Sequence, residues 1–300
     1  MSAVLVTGAL GNLGWKATMA LASDDRFDRV LACDLGNPSA AQGSQLEAWE
    51  KAEFIQCDLS SWQDLRWRSR ILDVDMVAHF AAQNPFPEAS WQDVAVSMDI
   101  TNHITTALLA SIKSQRLVYI SSNHVMGRYK DSLFGTEQSE GALKTSLEPG
   151  VGTIWDTGLK TIDSTGYATV KLAGERSART ISEATNGRVT SVSTRIGWCQ
   201  PGENHPSTLS AAGSISIERA GEESRDPSLA LTDRWFQEMW LSNRDFSQLI
   251  VKSLLADSTS WPSPWVVVNG VSRNRGMVWS LCEGRDWLGY DPEDDVYRSL

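Results

Sequence analysis

The sequence has no apolar run long enough to cross a bilayer, and its N-terminus lacks the basic segment and apolar core of a signal peptide. Both absences point to a soluble cytoplasmic protein. Cysteine is scarce. The four residues Cys33, Cys57, Cys199 and Cys282 have no C-x-x-C spacing, which argues against a disulfide framework and a cysteine zinc site. Cys33 and Cys57 lie in strand-like apolar runs and read as small buried hydrophobes. Histidine is equally sparse, with four residues that do not cluster with Asp or Cys, so no metal site is expected. Positive charge is in deficit: 27 Lys and Arg against 37 Asp and Glu give a formal charge of -10. A chain this acidic has no general attraction for nucleic acid or membrane surfaces. There is no internal repeat and no low-complexity linker.

What remains is a 300-residue chain, 41% hydrophobic and 21% charged, able to bury one large core. Short apolar runs alternate with amphipathic stretches. Strands are expected at 3–6, 30–33, 52–55, 76–80, 117–120, 189–193 and 265–268. Helices are expected from about Leu13 to Ala22, Ser90 to Ser114 and Thr165 to Glu183. The alternation implies βαβ units with right-handed crossovers, and continuous apolar strands imply a sheet covered on both faces. The fold class is therefore α/β, a Rossmann-type doubly wound parallel sheet. Residues 1–196 would bind a dinucleotide. Residues 197–300 would form mainly a small substrate lobe, with the strand near 265–268 returning to the sheet.

The first strand runs directly into Gly8, Gly11 and Gly14, spaced G-x-x-G-x-x-G, and then into the first helix. Glycines there permit a tight turn and close approach of a pyrophosphate to a helix N-terminus. A plain glycine turn has the same spacing, but the strand before, the helix after and Asp34 twenty residues past Gly14 favour a cofactor loop. Asp34 would accept hydrogen bonds from the adenosine ribose and repel a 2′-phosphate, favouring NAD over NADP. Asn12, Leu13 and Leu35 flank these positions. Asp58 and Leu59 follow the third strand, where adenine would sit; Asp58 could also cap a helix ahead of Ser60 and Ser61. Phe80, Ala81 and Ala82 close the fourth strand, and Ile196 closes the strand before the lobe.

Tyr167 and Lys171 form a Y-x-x-x-K pair near the start of a helix, on one face. A lysine ammonium and a cationic nicotinamide favour the phenolate of a residue whose free pKa is about 10. Ser122, at the end of the fifth strand, is the hydroxyl partner.

Together these features resemble the extended short-chain dehydrogenase/reductase family, over nearly the whole chain. The resemblance implies a Rossmann fold, an NAD site and a catalytic Ser122, Tyr167 and Lys171. Tyrosine would be the general acid/base, lysine would hold the nicotinamide ribose, and serine would orient the substrate hydroxyl. Asn102 matches a proton-relay asparagine, or else packs the long helix. The segment Ser121-Ser122-Asn123-His124-Val125-Met126-Gly127 is similar to uronate dehydrogenases, as are Arg195 to Cys199, Trp240 to Ser242 with Asp245 and Phe246, and Leu288 to Pro292. Those enzymes oxidise the C1 hydroxyl of a hexuronate to a lactone.

By that resemblance Asn123 and His124 bind substrate, Asn12 and Asn84 edge the sugar pocket, and Arg234 binds a carboxylate. The chain departs from the pattern at Tyr129–Ile162, which looks inserted, at the bulky Trp198, and over Pro206–Asp233. Trp198 is singled out as substrate-facing; most of the 13 tryptophans are expected to fill the core. His79 reads as structural, His103 as packed on the long helix and His205 as exposed. The expected partners are a sugar or sugar-acid substrate and a second copy of the chain. In that homodimer the helices near 90–114 and 165–183 would pack through Ile100, Ile104, Ala107, Leu108 and Ile112, unless that face packs on the sheet. The alternative readings are an NAD-dependent epimerase or dehydratase of nucleotide sugars, and a non-catalytic NAD sensor.

Overall fold

A computed structural model describes residues 2–83, 89–130, 140–156, 160–209 and 234–298. Strands β1 (Ala3–Thr7), β2 (Arg29–Asp34), β3 (Ala52–Gln56), β4 (Met76–His79) and β5 (Arg116–Ser122) alternate with helices α1 (Asn12–Ala22), α2 (Ala40–Glu47), α3 (Leu65–Ile71) and α4 (Trp91–Ala110). A hairpin of β6 (Ile154–Asp156) and β7 (Thr161–Asp163) precedes α5 (Thr165–Ala184). Then come β8 (Thr190–Ile196), α6 (Asn243–Leu255), β9 (Trp265–Gly270) and α7 (Cys282–Leu288). Seven strands form one sheet in the order β3-β2-β1-β4-β5-β8-β9, every pairing parallel.

The pleat explains the two covered faces. Val4 and Val6 join a core with α1 and α6, while Ala3 and Leu5 join another with α3, α4 and α5. Every residue of β1 is buried, as the unbroken apolar run requires. The sheet places the C-terminal ends of β1, β2, β4, β5 and β8 along one edge, where ligands of doubly wound sheets bind.

Local chemistry sets the helix ends. Ser90 caps α4 and Asp93 returns the bond to its backbone, a complete capping box. The helix stops at Ala110, short of Ser114, because Ser111 turns out of the helix and bonds Ser114. Helices α2 and α3 have little apolar periodicity and escape the sequence reading; Ser39 and Asp64 cap them. The last third is less separate from the sheet than its polar composition suggests. Phe246 and Leu249 of α6 share a core with Val4 and Val6. Asp245, in the first turn of α6, is fully buried and accepts from Ser272 Oγ and the backbone amides of Glu293 and Asp294. Three donors satisfy a carboxylate that would otherwise be costly to bury. Among the described residues no helix is long and apolar enough to cross a membrane, and no group of three His, Cys, Asp or Glu is placed to hold a metal.

Candidate active site

A cleft of about 750 Å³ opens at the C-terminal edge of the sheet. Its floor begins at the glycine turn. Gly8 has a φ of +66°, and a Cβ there would lie 2.8 Å from the Ala81 amide nitrogen. At Gly14 a Cβ would lie 2.0 Å from the Gly8 carbonyl oxygen. These two glycines are demanded by the turn itself. Gly11 is different: its Cβ would meet only the Gly8 oxygen, at 3.4 Å. Packing does not require glycine there, whereas a ligand lying against the start of α1 would. Gly11 also gives α1 no side-chain cap, so its first amides face the cleft without a protein acceptor from that position.

Asp34 ends β2 at the cleft. Its Oδ2 accepts from the Leu10 amide at 2.9 Å and its Oδ1 from the Gly36 amide at 3.1 Å. The carboxylate is thus fixed in orientation where a ribose would lie. Asn12, Leu13, Leu35, Asp58, Leu59, Phe80, Ala81, Ala82 and Ile196 line the same cleft. Asp58 caps no helix; it accepts from the Ser60 amide and hydroxyl in a local turn, and Asp64 caps α3 instead. Ser39, Gln42, Gln83, Val96 and Ile100 also line the cleft and were not read from the sequence. Ser39 and Gln42 belong to the unrecognised α2, and no motif marks the other three.

Behind this wall Thr7 Oγ1 accepts from the amides of Phe80 and Ala81, both at 3.2 Å, so its hydroxyl donates to His79 Nδ1 at 2.7 Å. His79 Nε2 then donates to Thr101 Oγ1 at 3.2 Å. Burial pushes the His79 imidazole down to about 3, keeping it neutral. His79 is structural, and it fixes the turn that carries Phe80 and Ala81.

Ser122, Tyr167 and Lys171 come together at the cleft, which Tyr167 and Lys171 line. Tyr167 and Lys171 share a face of α5, beside Ser122 on β5. The Tyr167 phenol is raised above its ordinary value by burial, and a hydrogen bond with Ser122 opposes that rise. Lys171 Nζ donates to the Ile120 carbonyl at 2.9 Å and lies 5.8 Å from the centre of the Tyr167 ring. Burial lowers the Lys171 ammonium to about 8. Burial therefore favours the neutral form of both members of the pair.

The remaining expected residues distribute unevenly. Asn123 and His124 are buried in the short turn after β5. The Asn123 amide contacts Met239 Sδ. The His124 ring stands edge-on to Tyr167 at 5.8 Å and stacks on Trp155 at 6.1 Å. Trp198 does not line the cleft; it meets Phe236 edge to face at 5.8 Å, and Phe236 in turn packs against His124. Asn12 lines the cleft and also donates to the Cys199 carbonyl at 2.9 Å. Arg234 pairs with buried Glu238 and reaches the Gly276 carbonyl at 3.3 Å, beside the C-terminal segment rather than the cleft. Asn102 lies on the exposed side of α4 and accepts from Ser177 Oγ at 3.3 Å, which packs α4 to α5. Asn84 lies outside the described residues.

An aspartate at the end of β2 and a tyrosine–lysine face beside β5, on this parallel sheet, define a short-chain dehydrogenase/reductase type of protein. The narrower assignment agrees: the chain belongs to the NAD dependent epimerase/dehydratase family, whose pattern matches residues 4–198. Over 296 residues it is 27% identical to an L-arabinose 1-dehydrogenase (NAD(P)(+)) of Haloferax volcanii, covering 98% of each chain. Its fold is similar to a UDP-glucuronic acid 4-epimerase of Bacillus cereus, with a TM-score of 0.67 and 18% identity over 99% of this chain and 96% of that one. It is also similar to a short-chain dehydrogenase/reductase superfamily protein from Agrobacterium tumefaciens solved with bound NAD. There the TM-score is 0.60 at 18% identity, covering 99% of this chain and 94% of that one.

Proposed function

We propose that the protein is an NAD-dependent sugar dehydrogenase that oxidises the C1 hemiacetal hydroxyl of an aldose or sugar acid to a lactone. The observation that carries this reading is the hydrogen-bonded Ser122–Tyr167 pair, with Lys171 beside it, where Tyr167 and Lys171 line a glycine-cradled cleft. The glycine turn, the open start of α1 and the fixed Asp34 carboxylate fit a dinucleotide. When bound, NAD would supply the hydride acceptor. Ser122 holds the sugar oxygen, Tyr167 takes its proton, and Lys171 favours the phenolate that does so. Residues 1–196 then carry the cofactor and the triple, and residues 197–300 contribute mainly to the substrate side.

The relative's name, an L-arabinose 1-dehydrogenase, supports oxidation at C1 of a neutral aldose. The pairing of Arg234 with Glu238 also favours a neutral sugar, because the arginine expected to hold a carboxylate is already neutralised. A hexuronate remains the second reading, on the strength of the Ser121–Gly127 segment. A homodimer through α4 and α5 would use Met98, Leu109 and, just past α4, Ile112, which are exposed, since Ile100, Ile104, Ala107 and Leu108 are buried against the chain's own sheet.

The test is absorbance at 340 nm with purified protein, NAD and a panel of free aldoses and uronates. Sustained NADH formation with one of them, lost in Tyr167→Phe, is the expected result. NAD binding without net NADH, together with interconversion of a nucleotide sugar, would overturn it in favour of an epimerase.

A further inference from the structure

The edge of the cleft at Asp58 and Leu59 is held from two directions. Within its own segment, Asp64 Oδ2 accepts from the Asp58 amide at 2.8 Å, Trp67 Nε1 donates to the Ser61 carbonyl at 3.2 Å, and Arg68 donates to the Trp62 carbonyl at 2.6 Å. These bonds shape the turn against α3, the helix that follows it. One further bond comes from a distant part of the chain. His103, on α4, lies with Nδ1 2.9 Å from the Leu59 carbonyl oxygen. Among the described residues this is the one hydrogen bond between residues 58–62 and an element outside their own segment.

A carbonyl oxygen only accepts, so the proton sits on Nδ1 and the histidine is the donor. The ring cannot easily turn away. Its centre lies 5.6 Å from that of Trp62 and 6.3 Å from that of Trp67, with 21° between the planes of His103 and Trp67. Trp67 is fully buried, and the Arg68 guanidinium lies 5.0 Å over the Trp62 ring. His103 itself does not line the cleft, whereas Asp58 and Leu59 do. They stand beside Asp34, whose carbonyl accepts from the Cys57 amide at 2.8 Å. The clamp therefore acts on the cleft edge next to the carboxylate that would receive the ribose.

We infer that His103 is a positioning residue for the adenosine half of NAD. Its Nδ1–H holds the Leu59 carbonyl, so Asp58 and Leu59 are in place before the base arrives and no ordering of the turn opposes binding. The role rests on the dinucleotide reading of the cleft. The base is distinguished at Asp58: a carboxylate only accepts, and its Oδ1 already takes the Ser60 amide and hydroxyl. Adenine presents a 6-amino donor to such an edge, where hypoxanthine presents a carbonyl.

The test is calorimetric binding of NAD and of nicotinamide hypoxanthine dinucleotide to the full chain. His103→Phe keeps a ring between the two indoles and removes the donor. His103→Asn loses the ring and keeps an amide nitrogen near the place of Nδ1. In His103→Phe the Kd for NAD should rise about 3–10-fold, the worth of one hydrogen bond, while His103→Asn stays within about twofold of wild type. The hypoxanthine analogue should weaken less, so that the preference for NAD narrows. Weakening of both dinucleotides by one factor, or equal losses in the two variants, would make the ring merely structural and overturn the inference. Without any dinucleotide, hydrogen exchange over residues 57–64 should be faster in His103→Phe than in wild type; unchanged exchange also overturns it. Should His103→Phe fail to fold, His103→Leu against His103→Asn gives the same comparison. A wild-type protein that bound neither dinucleotide would defeat the cofactor reading, and the role of His103 with it, whereas the exchange rates would still show whether His103 holds the turn.

Discussion

Lys171 Nζ donates to the carbonyl of Ile120, two residues before Ser122 on β5. One bond ties the helix that carries Tyr167 to the strand that carries its hydroxyl partner. It also holds an ammonium, lowered to about 8 by burial, beside a phenol that burial raises. The pair must lose one proton to act as a base, so kcat/KM should rise with pH toward the alkaline side of neutrality. Lys171→Met removes the positive charge and should move that rise to higher pH by at least one unit, besides slowing turnover. A pH–rate profile of the two proteins checks it; an unmoved inflection would show that Lys171 does not influence the phenol.

Tyr167→Phe keeps the ring that lies against His124 and removes the hydroxyl bonded to Ser122. Turnover should drop by about 10²–10⁴-fold, the usual cost of losing a general base. NAD affinity, measured by calorimetry, should change little. Ser122→Ala should be less damaging, since it removes orientation rather than the proton acceptor.

Asp34 is held by the amides of Leu10 and Gly36, and so cannot swing away from a 2′-phosphate without breaking both bonds. Asp34→Ala should raise KM for NAD by about 10–100-fold, the worth of one or two charged hydrogen bonds. It should raise KM for NADP much less, or lower it. An unchanged ratio of the two KM values would remove Asp34 from cofactor discrimination.

The strands, the three expected helices and the glycine turn were legible because continuous apolar runs and glycine spacing are local signals. That Tyr167 and Lys171 meet beside Ser122 was legible because four-residue spacing puts the first two on one helical face and Ser122 ends the neighbouring strand. The partner of Asn102 was not legible because α4 offers several polar positions, and only the crossing with α5 decides which of them meets Ser177. Ile100, Ile104, Ala107 and Leu108 form an apolar stripe that fits a partner helix or a sheet equally well; three dimensions give it to the sheet. Thr153 and Ser164, whose hydroxyls both reach His124 Nδ1, carried no signal, since a hydroxyl shows its partner only in three dimensions. Arg234 sits near its expected place in the sequence, but Glu238, one helical turn later, claims it.

His79 and His124 are both buried and both lowered from 6.5 to about 3. Between those values the unfolded chain binds a proton at each and the folded chain does not. Stability should therefore be complete above pH 6.5 and fall as pH drops toward 3, by up to about 1.4 kcal/mol per pH unit for each histidine. Urea midpoints at pH 7 and pH 5 measure the drop. His79→Gln should lower the midpoint at pH 7, where the Thr7 and Thr101 bonds are lost, and should show a smaller drop to pH 5. An equal drop in both proteins would mean that His79 titrates normally.

The carboxylate of Asp245 closes its bonding with amides from Glu293 and Asp294, and its neighbour Phe246 packs on Phe80 at 6.2 Å in the wall of the cleft. The wall that opens at Phe80 is thus braced from residues far along the chain, at 293 and 294. Removing those two amides should loosen the cleft through Asp245 and Phe246 without touching any side chain of the Ser122, Tyr167 and Lys171 group.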